Sequence, residues 1–102
     1  MKSVLLVCGT GASSGFMAKN IRVAAKEQGK SVDVKARSDA ELDNYIEEID
    51  LLLVGPHLKY MLEELESIGA SNDVPVAMIT EAAYGGLDGK AVLQQIETII
   101  EL

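Results

Sequence analysis

Short apolar runs that alternate with longer stretches of mixed polarity constrain this chain more than any other feature. Residues 3–7, 31–36, 51–54 and 76–79 are rich in Val, Leu and Ile and bounded by turn-forming residues, as buried strands are. Residues 16–28 carry Met17, Ile21 and Ala24 at helical spacing, and Gly29 closes them as an αL cap. Residues 39–49 predict a short helix with Asp39 as its N-cap. Leu58, Met61, Leu62, Leu65 and Ile68 fall on one helical face, and so do Val92, Leu93, Ile96, Ile99 and Ile100 behind Asp88 as a cap. The resulting β-α-β-α-β-α-β-α order predicts an α/β fold: one open, four-stranded parallel sheet with helices on both faces. Such sheets bind ligands beyond the carboxyl ends of their strands, where the strand order reverses. That rule singles out residues 8–15, 55–57 and 80–86.

The 102 residues fit one domain, 1–102, and the 48% apolar content is enough for a core. Aromatics are only 4%, so the core must be aliphatic. A net charge of −7 disfavours nucleic acid and anionic membrane surfaces as partners. No apolar run approaches the ~20 residues that span a bilayer. The run after Met1-Lys2-Ser3 is too short for a signal-peptide core, so a cytoplasmic protein is expected. With one cysteine, Cys8, and one histidine, His57, neither an intramolecular disulfide nor a zinc site is expected.

The chemistry-bearing segment is Cys8-Gly9-Thr10-Gly11-Ala12-Ser13-Ser14-Gly15, between the first strand and the first helix. Glycines let successive N–H groups turn toward one point. The helix that follows adds its own unpaired N–H groups and its positive dipole end. Small side chains leave room for an anion. Donors that hold a phosphate also stabilise a thiolate, so the Cys8 thiol is expected to ionise below the usual ~8.5 and act as a nucleophile. The product would be a cysteinyl phosphate held by backbone amides and by the Thr10, Ser13 or Ser14 hydroxyls.

Other readings compete. A lone cysteine at the end of a buried strand is commonly an inert small apolar residue. The loop lacks the Lys-Ser/Thr of a nucleotide-binding P-loop, and Gly9, Gly11 and Gly15 miss the G-x-G-x-x-G spacing by one residue. Cysteine phosphatases place an arginine after a cysteine and five loop residues; here that position is Ser14. Without a guanidinium, the transition state for hydrolysis loses a charge-assisted clamp, which favours a carrier over a phosphatase or arsenate reductase. A flavodoxin-like binding module is a third alternative.

Three blocks carry a resemblance that covers nearly the whole chain: residues 4–19 with the strand, cysteine and small-residue loop; Leu51-Leu52-Leu53-Val54-Gly55-Pro56-His57-Leu58-Lys59-Tyr60-Met61-Leu62; and Tyr84-Gly85-Gly86-Leu87-Asp88-Gly89-Lys90-Ala91-Val92-Leu93. Together they resemble the B component of the bacterial phosphoenolpyruvate-dependent sugar phosphotransferase system, lactose/cellobiose (chitobiose) class. The resemblance implies an architecture like that of the low-molecular-weight tyrosine phosphatases. It implies that Cys8 accepts phosphate from a phosphohistidine on the A component. Cys8 would pass it to a cellobiose/chitobiose-like or lactose-like sugar held by the membrane-embedded C component. No cofactor and no metal are implied, and a monomer is expected. The loop in this family often ends Ser-Thr-Ser; here it ends Ser13-Ser14-Gly15, so Gly15 offers only its backbone N–H. His57 often corresponds to a glutamine.

Pro56, His57 and Tyr84 are candidates for a wall of the phosphate site or a docking surface. Rigid turns leading into helices explain Pro56 and the Tyr84-Gly85-Gly86 segment equally simply. Lys19, Arg22 and Lys26 form a positive stripe on the first helix, able to steer an acidic partner or simply to be solvated.

Overall fold

A computed structural model gives the structure of the chain; it describes residues 1–8 and 12–102, with Ala12 and Ser13 described in their backbone alone. The strands are β1 (Lys2–Val7), β2 (Val32–Arg37), β3 (Leu51–Val54) and β4 (Val76–Met78). The α-helices are α1 (Ala12–Glu27), α2 (Leu62–Ser71), α3 (Glu81–Gly85) and α4 (Gly89–Glu97). Two 3₁₀ turns, Asp39–Asn44 and Pro56–Met61, complete the order. The sheet runs β2-β1-β3-β4 with every pairing parallel, as the alternating apolar runs predict.

Strand residues alternate between two apolar layers, because successive side chains leave opposite faces of the sheet. Val4, Leu6, Cys8, Val34, Leu51 and Leu53 face the layer that α1 and α4 close with Met17, Ile21, Leu93 and Ile96. Leu5, Val7, Leu52 and Val54 face the other layer, closed by Leu42, Ile46, Leu58 and Leu65. Both layers are aliphatic apart from Tyr84 and the edge residue Tyr45.

Local signals explain most boundaries. Gly29 takes φ +69, and the Lys30 N–H reaches back 2.8 Å to the Ala25 carbonyl, which closes α1. Asp88 Oδ1 accepts the Ala91 N–H at 3.0 Å and starts α4. Three expectations shift. Residues 39–49 do not form one α-helix: the 3₁₀ turn ends at Asn44, and its cap is Ser38, whose Oγ accepts the Ala40 N–H at 3.2 Å. The Tyr84-Gly85 segment is not a loop but the end of α3, started by Thr80 Oγ1 accepting the Ala83 N–H at 3.1 Å. α1 starts at Ala12 rather than residue 16, so Ser14 and Gly15 lie in its first turn. First-turn N–H groups need no intrahelical acceptor, so small residues are tolerated there and do not delay the helix.

Candidate functional site

β1 and β3 are the central pair, and the chain leaves β1 toward β2 on one side while β3 leads to β4 on the other. Their carboxyl ends therefore form the reversal point of strand order, where open α/β sheets bind ligands. Cys8 stands one residue beyond β1, its N–H donating to the Arg37 carbonyl of β2 at 3.3 Å. The Gly55 N–H donates to the Val7 carbonyl at 3.0 Å, so the turn after β3 is stitched to the cysteine's own strand. A Cβ at Gly55 would lie 3.4 Å from the Val7 carbonyl oxygen, 3.6 Å from a Tyr84 ring carbon and 3.7 Å from Cys8 Cβ. These are ordinary van der Waals distances, so the turn packs directly against the cysteine and the Tyr84 ring.

The Cys8 side chain points into the α1–α4 layer and is 1% exposed. The cysteine is thus enclosed by its neighbours. Tyr84, brought over the same layer by α3, donates its hydroxyl to Cys8 Sγ at 3.4 Å. His57 is exposed and meets the Tyr84 ring edge-on, with centroids 5.1 Å apart and planes at 74°. Pro56, His57, Glu81, Tyr84 and Gly85 line a hollow of about 270 Å³. The structure therefore brings Cys8, Pro56, His57 and Tyr84 to one end of the sheet. Larger grooves of about 400 and 640 Å³ run along α1 and α4, and neither lining includes Cys8, Ser14 or Tyr84.

Of the remaining loop candidates, Gly9, Thr10 and Gly11 lie outside the described residues, as do the side chains of Ala12 and Ser13. Ser14 is fully buried in the first turn of α1, and no acidic residue in that turn opposes the positive end of the helix. Gly15 is exposed, and a Cβ there would meet nothing within 4 Å. Its glycine is therefore not demanded by packing. Gly15→Ala is expected to raise stability by about 0.5 kcal/mol through helix propensity, or roughly 2–4 °C in Tm, measurable by thermal melting. An unchanged or lower Tm would mean that the glycine conformation matters in itself.

Both arginines of the chain are engaged elsewhere. Arg22 Nη1 donates to the Val34 carbonyl at 2.6 Å, which ties α1 to β2 and removes Arg22 from the expected free basic stripe. Arg37 ends the strand beside Cys8, a proximity that sequence reading missed. Its Nε donates to the Tyr45 hydroxyl at 2.9 Å and its Nη1 to the Ala36 carbonyl at 2.7 Å, and Tyr45 belongs to the opposite layer. The Tyr45 hydrogen bond holds the Arg37 guanidinium above its ordinary pKa. Strand pairing would have revealed this neighbour; spacing along the sequence does not.

Among the described residues no group of His, Cys, Asp and Glu side chains is placed to hold a metal, and no helix is long and apolar enough to cross a membrane.

Comparison with known proteins gives a consistent answer. Residues 3–95 match the family described as the lactose/cellobiose-specific IIB subunit of the PTS system. A galactose-specific EIIB component from Lactococcus lactis subsp. cremoris is 30% identical, and a cellobiose-specific EIIB component from L. lactis subsp. lactis is 29% identical. Each alignment covers 97% of this chain and 96% of the relative. A lactose-specific EIICB component from Streptococcus mutans is 28% identical over 93% of this chain, which corresponds to 17% of that longer protein. The lactose-specific IIB domain from Streptococcus pneumoniae superposes with a TM-score of 0.86 at 16% identity, covering 95% of each chain. YwlE from Bacillus subtilis, of the low-molecular-weight tyrosine phosphatase fold, gives a TM-score of 0.52 at 15% identity, covering 96% of this chain and 93% of its own. The last two likenesses speak to fold alone, and both agree with the predicted architecture.

Proposed function

The chain belongs to the lactose/cellobiose-specific IIB family of the phosphotransferase system, and from that premise we propose that it carries phosphate on Cys8 between two protein partners. The donor is the phosphohistidine of an A component. The acceptor is a sugar hydroxyl held by a membrane-embedded C component, with the carrier working at the cytoplasmic side as one domain. The S. mutans relative, whose name joins C and B in one chain, supports the C partnership. Names of the relatives point to galactose, cellobiose and lactose, so the sugar class is left as a β-linked disaccharide or a related sugar.

The observation that carries this reading is the placement of the chain's only cysteine at the carboxyl end of central strand β1, four residues before α1 begins. In the first half-reaction, the sulfur attacks phosphorus, the S–P bond forms, the N–P bond breaks and its electron pair returns to the imidazole of the donor. In the second, the sugar oxygen attacks, the O–P bond forms, the S–P bond breaks and the pair returns to Cys8 Sγ. The hydroxyl proton leaves to solvent or to a base on the acceptor. The phosphoryl oxygens would be held by the backbone N–H groups of residues 9–15, with hydroxyls from Thr10, Ser13 and Ser14. Transfer in line requires close alignment of donor and acceptor, and the partners provide it. Pro56, His57 and the α3 surface would meet the partner, because they line a hollow together with Tyr84, whose hydroxyl reaches Cys8.

Both guanidinium groups of the chain hydrogen-bond main-chain carbonyls, and the position where a cysteine phosphatase loop carries its clamping arginine is Ser14 here. The purified protein is therefore expected to accept phosphate from a phosphorylated A component of this class while leaving a chromogenic aryl phosphate intact. Turnover of the aryl ester without uptake from the A component would assign a phosphatase instead.

A further inference from the structure

We propose that Tyr84 is the positioning residue that sets the ionisation of Cys8 and its quality as a leaving group; this rests on the carrier reading above. The geometry is specific. Tyr84 is buried, and its hydroxyl lies 3.4 Å from Cys8 Sγ, within the reach of a hydrogen bond to sulfur. A thiolate only accepts hydrogen bonds, so toward the ionised sulfur the phenol must be the donor. A hydrogen bond that favours the charged form lowers a thiol's pKa.

The cysteine also packs into an apolar layer. Cys8 belongs to a layer of Val, Leu, Ile, Met and Ala side chains, in which Tyr84 is the one aromatic residue. Burial among such groups pushes a thiol's pKa up. A donor aimed at the sulfur from α3 opposes that rise. Its position is supported by three neighbours already in place: the Thr80 cap that starts α3, the His57 ring in an edge-on contact, and the Gly55 turn beside a ring carbon.

The same hydrogen bond acts in both half-reactions. It steadies the thiolate before attack on the donor phosphorus. When the sugar oxygen displaces phosphorus, the S–P electron pair returns to Sγ, and the phenol proton is in place to stabilise the charge that develops there. Tyr84 thus acts through sulfur and touches no substrate in this account.

The test is Tyr84→Phe, which keeps the ring, its contact with His57 and its packing beside Gly55 while removing the donor. The ¹³Cβ resonance of the single cysteine reports its ionisation without any reagent having to reach it. We expect the titration midpoint to rise by about one pH unit, equivalent to roughly tenfold less thiolate near neutrality. Uptake of phosphate from the A component is expected to slow about tenfold at neutral pH and to recover at higher pH, whereas transfer from phospho-Cys8 to the sugar acceptor, whose sulfur carries no proton, is expected to slow about tenfold without that recovery. Should the phenylalanine variant fail to fold, replacement of the tyrosines by 3-fluorotyrosine, a stronger donor, is expected to lower the midpoint. A midpoint that stays unchanged in whichever of these proteins folds would overturn the role of Tyr84. Wild-type protein that takes up no phosphate on Cys8 would instead remove the carrier reading, and the titration would still stand by itself as a measure of the hydrogen bond.

Discussion

Cys8→Ser protein is expected to lose phosphoryl transfer to sugar by at least about three orders of magnitude while keeping its fold. A serine hydroxyl ionises far above neutral pH, so at position 8 it is a far weaker nucleophile than the thiol. The side chain that replaces sulfur would be of similar size and equally enclosed. Burying an unpaired hydroxyl costs about 1–3 kcal/mol, but Tyr84 already points a hydroxyl at this position and can pair with it. The expected loss of stability is therefore below about 1 kcal/mol, with Tm within roughly 8 °C of the wild type. A variant that keeps its melting transition and still phosphorylates sugar at the wild-type rate would remove Cys8 from the reaction.

The second large effect concerns the frame rather than the reaction. Gly89 begins α4 where that helix crosses α1. A Cβ at this position would fall 2.3 Å from the Asn20 carbonyl oxygen, 2.4 Å from its carbon and 2.8 Å from the Ile21 nitrogen. All three are backbone atoms, so no side chain can swing aside to make room. The crossing is further fixed by Asn20 Nδ2, which donates to the Leu87 carbonyl at 2.9 Å, and by the ion pair of Lys30 with Glu97. Gly89→Ala must push α4 away from α1 and loosen Val92, Leu93 and Ile96, all fully buried. Overpacking of this kind costs about 3 kcal/mol, which corresponds to a fall of roughly 12–24 °C in Tm. A melting temperature within 2 °C of the wild type would show that the two helices separate without cost.

The parallel sheet and the two apolar layers were legible because period-two and helical patterns are local signals. Leu58, Met61, Leu62, Leu65 and Ile68, read as one helical face, do pack together on one layer. Capping was legible at Gly29 and Asp88 for the same reason: the residue that stops or starts the helix is the one that makes the bond. Gly89 sits directly after a readable cap, yet its importance lies in Asn20, which is distant in sequence. Arg37 beside Cys8 and Tyr84 over its sulfur are likewise products of strand pairing and helix placement. Tyr84 was legible as a candidate near the site through the strand-end rule, but its hydroxyl contact with Sγ was not. Gly15 misled in the other direction, because a glycine in the small-residue run looked like the end of a loop and lies inside α1.

The central claim is that one sulfur carries the phosphate. Intact-protein mass spectrometry after incubation with a phosphorylated A component, followed by fragmentation at a pH that preserves thiophosphates, measures this directly. We expect one added phosphoryl group, located on Cys8. A phosphoryl group on His57 or on a serine, with Cys8 unmodified, would contradict the account.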